Sequence, residues 1–223
     1  MQRCIQLAKL GANSVAPNPM VGAVLVYDDC IIGEGYHQQY GKAHAEVNCI
    51  NSVSKENESK IADATLYVSL EPCNHFGKTP PCSHLIVEKK IKKVVIGCRD
   101  SFSLVNGAGV EYLKQNDVDV IENILEQECI NLNKKFFTFH NQKRPFIILK
   151  FAQTANGFIG NLGNERLMIS NSFTNTKSHI WRSEEAAILV GTNTALKDNP
   201  SLTSRNKLAK NPVRLLIDKQ LKV

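Results

Sequence analysis

A histidine and a glutamate lie two positions apart in "HAEVNCINSV", residues 44–53, at the front of an apolar run. Side chains two residues apart on a helix point in different directions, so we expect His44 and Glu46 to have different roles. Further along, "EPCNHFGKTPPC" places Cys73 and Cys82 after prolines, with eight residues between them. These four side chains are the first candidates for chemistry.

One imidazole and two thiolates supply three good ligands for zinc, which prefers four tetrahedral ligands. When a protein supplies only three, water takes the fourth position, as in catalytic zinc sites, and zinc lowers the pKa of that water to about 7. We expect Glu46 to project from an exposed helical position and to carry protons to and from the water. On spacing alone, His75 or His84 could replace one of the three ligands.

The elements that must position these residues follow from apolar patterning, which alternates between the helical and the strand period. A hairpin turn is expected at "DDC", residues 28–30, leading into "IIGEG". The alternation of predicted helices and strands along the chain predicts an α/β layer structure whose sheet is covered on both faces. In such a structure the active groups lie at strand ends and helix N-termini. The predicted helices are 2–11, 44–53, 81–90, 109–116 and 124–140, and the predicted strands are 21–27, 64–70, 92–98 and 118–122.

A polar run with a proline, "HNQKRPF" at residues 140–146, marks a domain boundary near residue 144. After it we predict a strand at 146–152, a helix at 175–185, and strands at 186–191 and 213–218. The expected domains are therefore 1–144 and 145–223.

Composition narrows the class of protein. The chain has 223 residues, 43% of them hydrophobic, and a formal charge of +6, which falls short of the concentrated basic stripe of a nucleic-acid binder. No run of apolar residues is long enough to span a membrane and no signal peptide is recognisable, so we expect a cytoplasmic protein. An odd number of scattered cysteines indicates reduced thiols. Five of them are expected to be small core residues: Cys4, Cys30, Cys49, Cys98 and Cys129.

Four long motifs together resemble the deaminase half of the bifunctional riboflavin-biosynthesis deaminase/reductase family: "APNPMVGAVLV", "GEGYHQQYGKAHAEV", "ATLYVSLEPCNHFGKTPPC" and "NGAG". From residue 145, "RPFIILKFAQTANGFIG" and "AAILVGTNTALKDNPSLTSR" resemble the start of its reductase half. The resemblance implies a cytidine-deaminase-like three-layer α/β/α domain followed by a partial dihydrofolate-reductase-like α/β domain. It also favours the metal set His44, Cys73 and Cys82 over His75 and His84.

The activity implied by the resemblance is hydrolytic deamination of 2,5-diamino-6-(5-phosphoribosylamino)pyrimidin-4(3H)-one, followed by NADPH-dependent reduction of its ribose. The implied partner is this small phosphorylated aminopyrimidine, with neither nucleic acid nor membrane, and a homo-oligomer is possible. In the deaminase half the substrate would be held by Asn18, His37 and Lys78. In the reductase half, NADPH would meet Ala152, Thr194 and Asp198, and the ribose phosphate would meet Arg182, Leu202 and Arg205.

The chain departs from the family pattern in several places. "DSFS" at 100–103 stands where the family has Asp-Pro-Asn-Pro, and "MIS" at 168–170, Asn156 and "DNP" at 198–200 differ in the second half. About 79 residues follow residue 144, fewer than a dihydrofolate-reductase-like domain needs. We therefore expect an N-terminal portion of the reductase domain, with little or no NADPH oxidation.

Two alternative functions remain open at this point. A nucleic-acid or nucleoside base deaminase would use related zinc chemistry, but its cysteines are typically two residues apart, and a second domain is not expected. A non-catalytic zinc module would leave Glu46 as an ordinary helix residue. Substitution of Glu46 separates a catalytic from a structural metal site.

Overall fold

The computed structural model describes residues 1–77, 79–101, 107–160, 167–205 and 210–223. The chain divides into two compact units, Met1–Phe146 and Ile147–Val223. The division falls two residues beyond the junction predicted at residue 144. Each unit is described by itself.

The first unit is built on a five-stranded sheet in the order β2-β1-β3-β4-β5, in which β1 runs antiparallel to β2 and β3, while β3, β4 and β5 are parallel. Asp28 and Asp29 have φ of 48° and 56°, the left-handed turn that a two-residue hairpin requires. Leu70 pairs with Cys98, so the carboxyl ends of β3 and β4 meet at one edge. The strands are β1 (Gly22–Tyr27), β2 (Cys30–Tyr36), β3 (Thr65–Leu70), β4 (Lys93–Cys98) and β5 (Asp119–Ile121).

Helices cover both faces of this sheet, as predicted. Successive residues of a strand point to opposite faces, so Ala23 and Leu25 join the core beneath α2, α3 and α4, while Val24 packs against Cys4 and Leu7 of α1. The helices are α1 (Gln2–Lys9), α2 (Ala45–Asn51), α3 (Cys82–Glu88), α4 (Ala108–Gln115), α5 (Glu126–Leu132) and α6 (Lys134–Gln142).

The single helix predicted at 124–140 is wrong, because the chain breaks at Asn133 into α5 and α6. The buried Asn133 side chain accepts a hydrogen bond from the Met20 backbone N–H and donates one to the Met20 carbonyl, both at 2.8 Å. This pair ties the loop before β1 to the helix junction. The partner lies far away in sequence, so local patterning carries no sign of it.

Three further expectations need correction. Cys30 is exposed, because it opens the edge strand β2 directly after the hairpin turn, whereas Cys4, Cys49, Cys98 and Cys129 are buried as predicted. Residues 146–152 form no strand and are mostly exposed. Between the helix predicted at 44–53 and the strand predicted at 64–70, where no element was predicted, the chain forms a 3₁₀ helix, Lys55–Asp63, that buries Ile61.

The second unit contains a parallel two-stranded sheet of β6 (Ala187–Gly191) and β7 (Val213–Ile217). Helix α7 (Ser172–Glu184) begins at Asn171, whose side chain accepts a hydrogen bond from the Thr174 N–H at 2.9 Å. These elements match the predicted helix and strands, whereas α8 (Thr192–Asp198) was not predicted. Among the described residues of both units, every helix is too short or too polar to cross a membrane.

Candidate active site

Three predicted ligands converge where α2 and α3 begin, beside the carboxyl end of β3. His44 directly precedes α2, Cys73 follows β3, and Cys82 is the first residue of α3. The Nδ1 atom of His44 lies 3.6 Å from Cys73 Sγ and 3.3 Å from Cys82 Sγ. Among the described residues, these three side chains are the group of His, Cys, Asp or Glu residues with the spacing to hold a metal ion. Their ligand atoms all lie within 4.8 Å of one another.

The donor set fits zinc. At a tetrahedral angle, ordinary zinc–sulfur and zinc–nitrogen bonds place the sulfur and nitrogen about 3.6 Å apart, close to the two separations in this cluster. Two sulfurs and one imidazole are also the donors that zinc accepts, and a set of three leaves one coordination position to a non-protein ligand.

Close packing of α2 against β2 sets the position of His44. Gly35 lies directly beneath the helix, where a Cβ would overlap the Cys49 backbone nitrogen. The Asn48 side chain donates to the Tyr36 carbonyl at 2.8 Å, which joins the helix to the end of the strand. A side chain at residue 35 would push the helix, and His44 with it, away from the cysteines.

Glu46 lies in the first turn of α2 and is 3% exposed. The expectation that it projects from an exposed position is therefore wrong: the helix directs it inward, and its carboxyl lies beside the Cys82 side chain. Burial raises the pKa of Glu46, and the nearby charge of His44 acts in the opposite direction. A buried carboxyl group with a raised pKa beside these three side chains can both accept and donate a proton.

The two thiols share protons with their neighbours. Hydrogen bonds from Cys82 and from the His44 ring lower the pKa of Cys73 to about 4. The same contact with Cys73, together with burial, raises the pKa of Cys82. The Cys82 backbone N–H also points to Cys73 Sγ, at 3.4 Å. The site therefore stabilises one thiolate by itself, and a bound cation favours loss of the second proton.

Asn18 and His37 form a hydrogen-bonded pair beside the cluster. His37 Nδ1 lies 3.0 Å from the Ala43 carbonyl oxygen, to which it must donate, so its Nε2 accepts from Asn18 Nδ2 at 3.2 Å. The two imidazoles of His37 and His44 meet edge to face, with centroids 5.4 Å apart. Burial lowers the pKa of His37, which favours this neutral form. The side-chain oxygen of Asn18, Oδ1, is thereby turned away from His37.

The remaining sequence candidates of the first unit are placed differently. His75 and His84 fall outside the metal-binding group, and His84 stacks on Tyr112 with ring centroids 4.4 Å apart. Lys78 lies outside the described residues. Sequence reasoning missed Thr79, whose Oγ1 lies 3.4 Å from His44 Nε2. Its place between the two cysteine ligands was the available signal.

In the second unit, two of the predicted phosphate-binding residues lie close together. Burial and the positive charge of Arg205 lower the pKa of the Arg182 guanidinium, which donates to the Thr203 carbonyl at 3.3 Å. Leu202 is near this carbonyl in sequence and is half-buried. The predicted NADPH contacts lie at Ala152, which is half-buried, and at Thr194 and Asp198, which are exposed on α8.

Comparison with protein families gives two matches. Residues 1–98 match the cytidine and deoxycytidylate deaminase zinc-binding region, and residues 145–223 match the RibD C-terminal domain. The predicted fold class, a cytidine-deaminase-like domain followed by a dihydrofolate-reductase-like one, is confirmed by these matches. The first domain is therefore of a zinc-binding kind, as the His and Cys donors indicate.

Individual relatives match either the whole chain or most of it. The riboflavin biosynthesis protein RibD of Actinobacillus pleuropneumoniae is 43% identical over 222 residues, which cover 100% of this chain and 58% of that protein. The diaminohydroxyphosphoribosylamino-pyrimidine deaminase of Buchnera aphidicola (Schizaphis graminum) is 44% identical over 61% of this chain and 90% of its own length. The chain thus spans somewhat over half the length of the longer relative and nearly all of the shorter one.

A solved structure matches equally well. The crystal structure of a diaminohydroxyphosphoribosylaminopyrimidine deaminase/5-amino-6-(5-phosphoribosylamino)uracil reductase from Thermotoga maritima is 45% identical, with a TM-score of 0.91. The match covers 99% of this chain and 62% of that one.

Proposed function

The chain belongs to the family of bifunctional riboflavin-biosynthesis deaminase/reductases, and we propose that its first unit hydrolytically deaminates 2,5-diamino-6-(5-phosphoribosylamino)pyrimidin-4(3H)-one. The observation that carries this proposal is the buried Glu46 carboxyl in contact with Cys82, inside a group of His44, Cys73 and Cys82 that fits zinc. A carboxyl group that lies beside the ligands suits the proton carrier that a zinc-dependent deamination requires.

His44 Nδ1 and the two sulfurs would hold the metal, which when bound supplies an activated water as nucleophile. With the metal bound, Glu46 would accept a proton from the attacking water and would deliver it to the ring nitrogen next to the amino-bearing carbon. The carboxyl then assists protonation of the departing amine, so that water and the aminopyrimidine give ammonia and the ring carbonyl. A raised pKa suits Glu46 to both directions of transfer.

Substrate binding is assigned to the pair beside the cluster. Asn18 donates to His37, so its side-chain oxygen is left to accept from an amino group of the pyrimidine. His37 holds Asn18 in this orientation through its own bond to Ala43. Lys78 is proposed to meet the phosphate, for which a compact ammonium is suited.

For the second unit we propose a part of the reductase site, with residues 145–223 as its domain and 1–144 as the deaminase domain. The neighbouring Arg182 and Arg205 supply the positive charge that a ribose phosphate requires, and Leu202 lies on the same segment as Arg205. Ala152, Thr194 and Asp198 are proposed to contact NADPH. Thiolate ligands that must stay reduced favour a cytoplasmic location.

Substrate choice provides the test. The zinc-loaded chain is incubated with the aminopyrimidine phosphate and, separately, with adenosine- or cytidine-containing RNA, and ammonia release is measured. We expect release from the aminopyrimidine and at most a trace from RNA. Comparable turnover of the RNA would favour a nucleic-acid deaminase, and ammonia release from neither substrate by the zinc-loaded chain would contradict the proposal.

A further inference from the structure

A second buried carboxyl group lies next to the zinc ligands, and the chemistry above does not use it. Glu71 is 4% exposed and directly precedes the Pro72–Cys73 pair. Its carboxylate oxygens accept four backbone hydrogen bonds, at 3.0 to 3.3 Å, from Asp100, Gly107, Gly109 and Val110. Hydrogen bonds to an ionised acceptor are among the stronger ones in proteins, so this group is a firm anchor.

The four donors come from two different places in the fold. Asp100 follows β4, whereas Gly107, Gly109 and Val110 lie at or next to the start of α4. The Glu71 backbone N–H also donates to the Cys98 carbonyl at 3.0 Å, which continues the β3–β4 ladder by one bond. Glu71 thus joins the ends of two strands to the start of a helix.

Packing at the next residue gives a second observation. Gly109 lies so close to Pro72 that a Cβ at residue 109 would overlap the Pro72 carbonyl oxygen. The backbone of Pro72 is therefore packed directly against the start of α4, to which Glu71 is hydrogen-bonded. Cys73 is the next residue, and its own carbonyl accepts from the Ser83 N–H at 3.1 Å in α3.

We propose that Glu71 is a positioning residue for the metal site: through its carboxylate it fixes the backbone of Pro72 and so the place of Cys73 Sγ relative to His44 and Cys82. This inference rests on the proposed metal site, and it does not require the deaminase reaction. Without the anchor, the start of α4 is no longer tied to the end of β3 by these hydrogen bonds, and Cys73 is held less firmly.

The test is Glu71→Gln, with metal binding as the readout. Glutamine keeps the shape, but its amide nitrogen cannot accept the backbone N–H groups that one carboxylate oxygen now serves. We expect the variant to remain folded by circular dichroism, to bind Co²⁺ about tenfold more weakly, and to show an altered thiolate-to-cobalt absorption band. Glu111→Gln is the matched control, because Glu111 is an exposed acid in the first turn of α4. We expect it to match the wild type.

Wild-type affinity and an unchanged cobalt band in Glu71→Gln would overturn the proposal and leave Glu71 a purely structural role. If that variant does not fold, Gly109→Ala decides, because its Cβ would overlap the Pro72 carbonyl oxygen and crowd Glu71 Oε1 at 3.3 Å, while the carboxylate itself is kept. The same weakened binding and altered band are expected there, and a wild-type spectrum would again contradict the proposal. Failure of this proposal and failure of the deaminase assignment give different results. If the deaminase assignment is wrong, the wild type binds Co²⁺ but releases no ammonia.

Discussion

His44 faces both sulfurs through Nδ1, so its Nε2 is the ring nitrogen that is left to hydrogen-bond elsewhere. A neutral imidazole that gives one nitrogen to a metal carries its proton on the other, and the partner of that proton fixes the ring. In this chain the partner is Thr79 Oγ1, at 3.4 Å from Nε2. The loop between the cysteines therefore both brings the sulfurs together and orients the histidine.

Thr79→Val tests this orientation at the level of one residue. Valine has nearly the same shape but cannot accept the Nε2 proton, so we expect zinc affinity to fall about tenfold. Affinity is measured by competition with a chelating dye. Thr79→Ser keeps the hydroxyl and should remain close to the wild type. Equal affinity of the valine variant and the wild type would show that Thr79 does not orient His44.

At the level of elements, the junction between α5 and α6 holds the loop that carries Asn18. Asn133 pairs with both backbone groups of Met20 at 2.8 Å, and Met20 lies two residues after Asn18. The proposed zinc ligands lie on other elements, namely the starts of α2 and α3 and the segment after β3. The proposed substrate and metal sites are therefore supported by different parts of the unit.

We expect Asn133→Ala to weaken substrate binding while leaving metal binding intact. Loss of two buried hydrogen bonds is expected to lower the free energy of unfolding by roughly 1–3 kcal/mol, and to raise KM for the aminopyrimidine with zinc content unchanged. Denaturant unfolding and initial rates provide the measurement. Asn131→Ala, at an exposed position of α5, should change stability by less than about 0.5 kcal/mol. A loss of zinc together with the rise in KM would contradict this separation.

The sequence was sufficient for those features that depend on local patterning or on ligand chemistry. The period of apolar residues predicted most helices and strands of the first unit. Residue types and spacing made His44, Cys73 and Cys82 candidates, and the family resemblance favoured them over His75 and His84. The inward direction of Glu46, the break at Asn133 and the Glu71 anchor were not predictable. Each depends on a partner distant in sequence, such as Met20 for Asn133, and pattern analysis has no access to such contacts.

At the scale of the whole molecule, the proposed chemistry is contained in the first unit. Cys73, Cys82, His44 and Glu46 all lie within Met1–Phe146, and the sheet that positions them is covered by helices of the same unit. In the second unit, every residue of β7 is exposed. The deaminase reaction is therefore proposed for the first unit, and the residues proposed for a reductase site lie in the second.

Ammonia release by Glu46→Gln, with zinc content measured on the same sample, tests the central claim most directly. Glutamine preserves the shape and the contact with Cys82 but cannot take up a proton, so the account predicts full zinc occupancy and a fall in rate of about 10²- to 10⁴-fold. The wild type with the same zinc content is the reference. Wild-type ammonia release from a zinc-loaded Glu46→Gln protein would contradict the assignment of Glu46 as the proton carrier.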